Sequence, residues 1–217
     1  RFKNLPVTRP LREDPLGETL DFMARVYNYN HWVARTLEPF VGRRVLEMGC
    51  GTGNILQFFV MRDHVVGVDP SEDYLQFCRK RFEGHTNCRF ELGDLSGEGL
   101  LPTDPVDTVL CLNVLEHIED DRKALRRIWD ILPPGGNLVL LVPAHQILYS
   151  SLDRIIGHFR RYEKADLLGK FRETGFTVET CFRFNFAGFF GWGLNGRVLG
   201  RTSLPVHQTR VYDRHIV

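Results

Sequence analysis

The segment VLEMGCGTGN, residues 45–54, restricts this chain more than any other stretch. An apolar run ends in Glu47, glycines stand at 49, 51 and 53, and an apolar stretch with Ile55, Leu56, Phe58 and Phe59 follows. Strand, tight turn and helix are predicted in that order, the opening unit of an α/β sheet. Glycines let the backbone turn sharply there and approach a ligand that a Cβ would exclude. The spacing is G-x-G-x-G rather than the G-x-G-x-x-G that seats a pyrophosphate on a helix N-terminus. Glu47, two residues ahead of the first glycine, opposes a pyrophosphate and suits a cationic ligand.

The rest of the chain alternates short apolar runs with helical patterns, which predicts a doubly wound, mostly parallel sheet. Strands are expected over 44–48, 64–68, 88–92, 106–112 and 137–142, with a sixth over 176–183. Their near-continuous apolar character implies burial on both faces. Helices are expected over 17–37, from Ser71 to Lys80 and Arg81, from Asp120 or Asp121 to Ile131, and over 164–174 with Gly175 as the stop. Beyond residue 183 the aromatic, glycine-rich FNFAGFFGWGLNGRVLG defines no clear element.

Further polar residues fall at the predicted strand tips. Asp69 closes HVVGVD at the end of strand two, where a carboxylate can accept both hydroxyls of a ribose. Asp94, in ELGDL after strand three, can accept from an adenine amino group or simply cap a turn. A cationic ligand carrying a nucleoside describes S-adenosylmethionine, with its ammonium and sulfonium. In LNVLEHIED, Asn113 can frame the methionine end of that molecule. Glu116 and His117 are explained equally well by function or by capping and packing.

With these motifs in order, residues 20–183 resemble the class I S-adenosylmethionine-dependent methyltransferases. The nearer resemblance is to bacterial small-molecule methyltransferases with YNHW (here 29–32) before the first strand and GHFRRY (here 157–162) after the fifth. The resemblance implies a seven-stranded sheet ordered 3-2-1-4-5-7-6 with one antiparallel strand. It also implies cofactor contacts at Tyr29, Glu47, Gly49, Cys50, Gly51, Gly53, Asp69, Pro70, Asp94, Leu95 and Asn113. No convincing seventh strand precedes Val217; TRVYD (209–213) is one candidate, and a strand past residue 217 is the other.

The acceptor side is expected where PAHQILYSSLDRIIGHFRRY follows strand five, since polar clusters in strand-end loops tend to be functional. A histidine with its ordinary pKa of about 6.5 is neutral at physiological pH. His158 is therefore the candidate base, with Tyr162 a second catalytic candidate. Tyr149, Arg160 and Arg161 are candidate acceptor contacts; the two arginines can equally pair with Asp153 and Glu163. No carboxylate–histidine spacing suggests a metal, and the reaction expected needs none.

Charge narrows the partners. The chain carries 28 Lys and Arg against 27 Asp and Glu, but residues 45–180 carry −6, residues 1–44 +3 and residues 181–217 +4. An acidic middle without a basic stripe argues against nucleic acid. The basic ends and the aromatics of 182–192 suit an anionic, hydrophobic small-molecule acceptor, such as a lipid-linked or glycosylated compound, or a peripheral membrane contact. Those aromatics can equally be core. One domain is expected over 1–217: a helical lid (1–40), a core (41–183) and an aromatic, basic segment (184–217). Five cysteines without a CxxC pair suggest a reduced, cytoplasmic protein. A nicotinamide oxidoreductase and a non-catalytic cofactor-binding protein are the rival readings.

Overall fold

The computed structural model describes residues 15–97 and 104–185, together with 195, 213 and 214. Five strands form one parallel sheet: β1 (Arg44–Met48), β2 (His64–Asp69), β3 (Cys88–Leu92), β4 (Thr108–Leu112) and β5 (Asn137–Leu141). Their order is β3-β2-β1-β4-β5. This is an α/β, Rossmann-like arrangement, and it contains five strands among the described residues where seven were expected. The chain steps outward from β1 to β3 and then crosses back to β4, so a crevice opens over the carboxyl ends of β1 and β4.

Period-two alternation divides the core between the two faces. Val45, Val65 and Leu110 pack with Val33, Ala34 and Leu37 from α2 (Tyr27–Leu37) and with Leu75 and Cys78 from α3 (Glu72–Arg81). Leu46, Met48, Val66, Val68 and Val109 pack on the other face against Ala124, Leu125 and Ile128 of α4 (Asp121–Ile131). Each fully buried Leu or Val contributes about 1.5–3 kcal/mol, which is why the central strands lack polar residues until their tips. Asp120 caps α4 by accepting from the Lys123 N–H, as its position suggested. Gly175, at φ 109°, closes α6 (Lys164–Thr174).

Four expectations differ from the structure. The helix over 17–37 is two helices, α1 (Pro15–Met23) and α2, because Val26 leaves helical backbone and the Asn30 amide donates to the freed Met23 carbonyl at 2.8 Å. After the glycine loop there is a run of turns with one 3-10 turn at Leu56–Phe58, not an α-helix. The fourth strand begins at Thr108 rather than 106. Residues 176–183 form no strand: Phe176 packs edge-on against Trp129, while Val178 and Phe182 are exposed. The candidate seventh strand at 209–213 lies outside the described residues except for Asp213. No helix among the described residues is long and apolar enough to cross a membrane.

Candidate active site

The glycine loop leaves the tip of β1 with Gly49, Gly51 and Gly53 all at positive φ (72°, 52° and 72°). The Gly49 and Cys50 N–H groups donate to the Val68 carbonyl at 2.7 and 3.0 Å, clamping the loop to β2. A Cβ on Gly53 would sit 2.6 Å from Phe82 Cε2, so that glycine is required by packing. A Cβ on Gly51 would meet nothing nearer than Leu20 Cδ2 at 3.8 Å. Gly51 therefore borders open space, and its bare backbone faces the cavity.

Glu47 lies beneath this loop, 4% exposed, with Oε2 lacking a hydrogen-bond partner. Burial, then the charge of Asp69, pushes its carboxyl up to about 8, with the Leu56 N–H opposing. A buried acid with an unfilled acceptor site beside a hollow is stabilised by an incoming cation. Asp69 is buried and already engaged: Oδ2 accepts from the Gly51 N–H at 2.8 Å and Oδ1 from the Ser71 N–H at 2.9 Å. It thus laces the loop to the tip of β2.

A cavity of about 1960 Å³ opens over the strand tips. It exceeds the roughly 300–1,000 Å³ of a small-molecule site because it continues along β5, where Asn137, Leu138, Val139, Leu140 and Leu141 also line it. Tyr29, Glu47, Gly49, Cys50, Gly51, Asn113, His158 and Arg161 line it, as do Glu116 and His117. Asn113 and His145, at the ends of adjacent strands, hold positive φ of 54° and 66°, the kind of strain that collects at functional sites. Trp32 stacks on Phe184 at 4.0 Å, and the Tyr29 N–H donates to Asp213 Oδ1 at 2.7 Å. The C-terminal part of the chain therefore reaches α2 at Phe184 and Asp213.

Other predicted residues lie off the cavity wall. Gly53 is packed against α3, and Leu95 is buried among the side chains that face α4. Pro70 is exposed beyond Asp69. The Asp94 carboxylate accepts from both the N–H and the hydroxyl of Ser96, the turn-cap alternative, while Arg127 donates to its carbonyl.

On the acceptor side the structure corrects three roles. Tyr162 borders the cavity, but its hydroxyl donates inward to Asp121 Oδ2 at 3.0 Å and lies 3.2 Å from the Leu115 carbonyl, and burial, then Asp121, drives its pKa up. Arg160 turns away onto the entry to α4, meeting the Ile118 and Glu119 carbonyls and Asp121 Oδ2 (2.9 Å), not Glu163. Tyr149 is absent from the wall; its hydroxyl donates to the His158 carbonyl at 2.7 Å and fixes the loop. Arg161 is on the wall and pairs with buried Asp153 through Nε at 2.7 Å.

His158 Nδ1 lies 3.0 Å from Asp153 Oδ1, and Nε2 lies 3.8 Å from Glu116 Oε1. Glu116 is fully buried with neither carboxylate oxygen hydrogen-bonded. Burial raises it to about 8, Asp153 adding to the rise while its own N–H and Arg161 oppose. Burial and the neighbouring His158 lower His117 to about 4, leaving a neutral imidazole. The expectation that no carboxylate and histidines converge rested on spacing along the chain, and folding brings three such groups together. The adjacent Glu116–His117 pair was the visible signal; the third member comes from a distant loop.

Comparison with known proteins agrees with this geometry. Residues 45–136 match the family model described as a methyltransferase domain. A ubiquinone biosynthesis O-methyltransferase of Bradyrhizobium sp. (strain ORS 278) is 33% identical over 109 residues, 49% of this chain and 42% of that protein. A thiol S-methyltransferase of Mus musculus is 33% identical over 97 residues, 43% of this chain and 40% of that protein. The chain thus spans less than half the length of these two relatives. An S-adenosylmethionine-dependent methyltransferase from Mesorhizobium loti superposes with TM-score 0.56 at 23% identity, over 70% of this chain and 82% of that one. Residues 45–136 thus match a methyltransferase domain, on a fold shared with a solved methyltransferase.

Proposed function

We propose that this chain is a single-domain enzyme that transfers a methyl group from S-adenosylmethionine to a small-molecule acceptor. The observation that carries the reading is the buried Glu47 carboxyl, its Oε2 without a hydrogen-bond partner, beneath the open backbone of Gly51. That pairing fits an ammonium-bearing ligand and disfavours a pyrophosphate, which sets it against a nicotinamide oxidoreductase. Glu47 faces the positive amino-acid end, and Gly49, Cys50 and Gly51 shape the hollow, while Gly53 holds the turn against α3. On the family pattern Asp69 and Pro70 are assigned to the ribose and Asn113 and Tyr29 to the methionine end; Asp94 and Leu95 are assigned to the adenine, Asp94 by exchanging its turn cap to Ser96 for the ligand.

The bound cofactor supplies a sulfonium methyl, to be taken in line by an acceptor lone pair with S-adenosylhomocysteine leaving. The protein's own contribution is alignment and exclusion of water, and orienting two bound reactants supplies about 7–11 kcal/mol of a barrier. Asp153 holds His158 through Nδ1, which leaves Nε2 to take a proton where the acceptor must lose one. Arg161 offers a positive wall to an anionic acceptor. The named relatives act on oxygen in one case and a thiol in the other, so acceptor chemistry varies among them. The five free cysteines support a cytoplasmic location.

Incubation with methyl-labelled cofactor and fractionated small-molecule pools tests the reading. Label entering a small-molecule fraction, with S-adenosylhomocysteine formed in equal amount, is expected. Tight cofactor binding with no transfer to any fraction would instead describe a non-catalytic binding protein.

A further inference from the structure

We propose that Glu116, His117 and His158 form a binding site for a divalent first-row transition cation on the cavity wall, between the tip of β4 and the segment following β5. One ligand atom from each residue lies within 4.8 Å of the others, and Glu116 Oε1 is 3.8 Å from His158 Nε2. The two imidazoles meet edge to face, with ring centroids 4.6 Å apart. Ligands on one ion at about 2.1 Å stand about 3.0–3.4 Å apart, so the set closes on an ion with a contraction of at most about 1.8 Å.

Two independent observations point to a cation. Glu116 is fully buried, and both its carboxylate oxygens lack a hydrogen-bond donor. Buried acceptors without a donor are costly unless a charge meets them. His158, for its part, has the outer support typical of a metal-bound imidazole. Its Nδ1 faces Asp153 Oδ1 at 3.0 Å, and Asp153 is itself fixed by Arg161 Nε and by the Ser150 N–H and hydroxyl. That arrangement holds the ring and aims Nε2 at Glu116. Counting Glu116 and Asp153 as anions against the Arg161 cation gives the cluster a net charge of −1, which a divalent ion reverses.

Two imidazoles and one carboxylate select Zn²⁺, Co²⁺, Fe²⁺ or Mn²⁺ over Mg²⁺ and Ca²⁺, which favour all-oxygen shells. All three residues line the cavity, so the remaining coordination positions face it. An ion there would hold a hydroxyl, carboxylate or thiolate of a small molecule, and with Nε2 as its ligand it would take the place of His158 as the group that eases a proton from that acceptor. The site stands on these three side chains alone and holds whether or not the chain transfers a methyl group.

The test uses the full chain, stripped with a chelator and then titrated with Zn²⁺ by calorimetry and with Co²⁺ by visible absorption. One ion per chain, micromolar affinity or tighter, Co²⁺ d–d bands and a Zn²⁺-dependent rise in melting temperature are expected. Glu116→Gln, which keeps the side chain's shape, and His158→Gln should each weaken Zn²⁺ binding by more than the roughly 10- to 100-fold typical of losing an outer partner. Cooperative melting of the metal-free variants shows that they fold. Absence of stoichiometric binding to the folded wild-type chain would overturn the proposal, as would unchanged binding in both variants.

Discussion

Replacing Gly51 with alanine separates ligand exclusion from misfolding. The backbone at φ 52° costs an L-residue about 1–2 kcal/mol, but the added Cβ meets no atom closer than 3.8 Å. For a chain of this size that strain lowers the melting temperature by about 2–8 °C. Gly53→Ala carries the same backbone strain, and its Cβ also lands 2.6 Å from Phe82 Cε2 and 3.3 Å from Cys78 Sγ. Overpacking of that kind adds about 1–3 kcal/mol, so Gly53→Ala should melt lower still. Binding should reverse the ranking. The Gly51 methyl enters the hollow and should weaken S-adenosylhomocysteine binding by at least about tenfold, or 1.4 kcal/mol. Gly53→Ala should stay within a few-fold of wild type while folded. Scanning calorimetry gives the first ranking and titration calorimetry, well below both melting points, the second. Wild-type affinity in Gly51→Ala would refute the assignment of its open side to the ligand.

Glu47, raised to about 8, should be about nine-tenths protonated at pH 7 in the ligand-free protein. Binding of S-adenosylmethionine should then release about 0.9 proton more from the wild-type chain than from Glu47→Gln at pH 7, and about 0.1 more at pH 9, read by calorimetry in buffers of different ionisation enthalpy. The same raised value makes the unfolded chain the readier to ionise, so ligand-free stability should fall as pH rises from about 4.5 toward 8, a slope that Glu47→Gln removes. Asp69→Ala should weaken cofactor binding by about 1.5–3 kcal/mol and also lower the melting temperature, because the same carboxylate holds the Gly51 N–H. Burial opposes the charge on Asp121, but hydrogen bonds from Lys170 and Tyr162 and the nearby Arg160 outweigh it and hold Asp121 below 3.8. Its stabilisation is therefore present above about pH 3.8 and lost as pH falls through the lower folded value; urea titrations should show a flatter acid limb for Asp121→Asn.

Parallel strands buried on both faces announce themselves in sequence, since Val45–Met48, Val65–Val68 and Thr108–Leu112 have few alternatives to burial. The glycine loop and the Asp120 cap were legible for a related reason: local backbone chemistry determines them. Elements that depend on distant partners were not. Val26 interrupts a continuous helical pattern because Asn30 can satisfy the break, and 176–183 has strand-like composition but no paired neighbour among the described residues. The candidate site divides along the same line. Glu47 and Gly51 follow from one motif. The fates of Arg160 and Tyr162 depend on Asp121 (some 40 residues earlier), and His158 meets Glu116 only after the crossover through α4.

Titration calorimetry of one folded preparation with S-adenosylhomocysteine and with NAD asks most directly what the hollow over β1 accepts. Micromolar or tighter binding of the first, one molecule per chain, with no heat from the second, is the predicted result. Binding of NAD, or of neither by protein that melts cooperatively, would contradict the account.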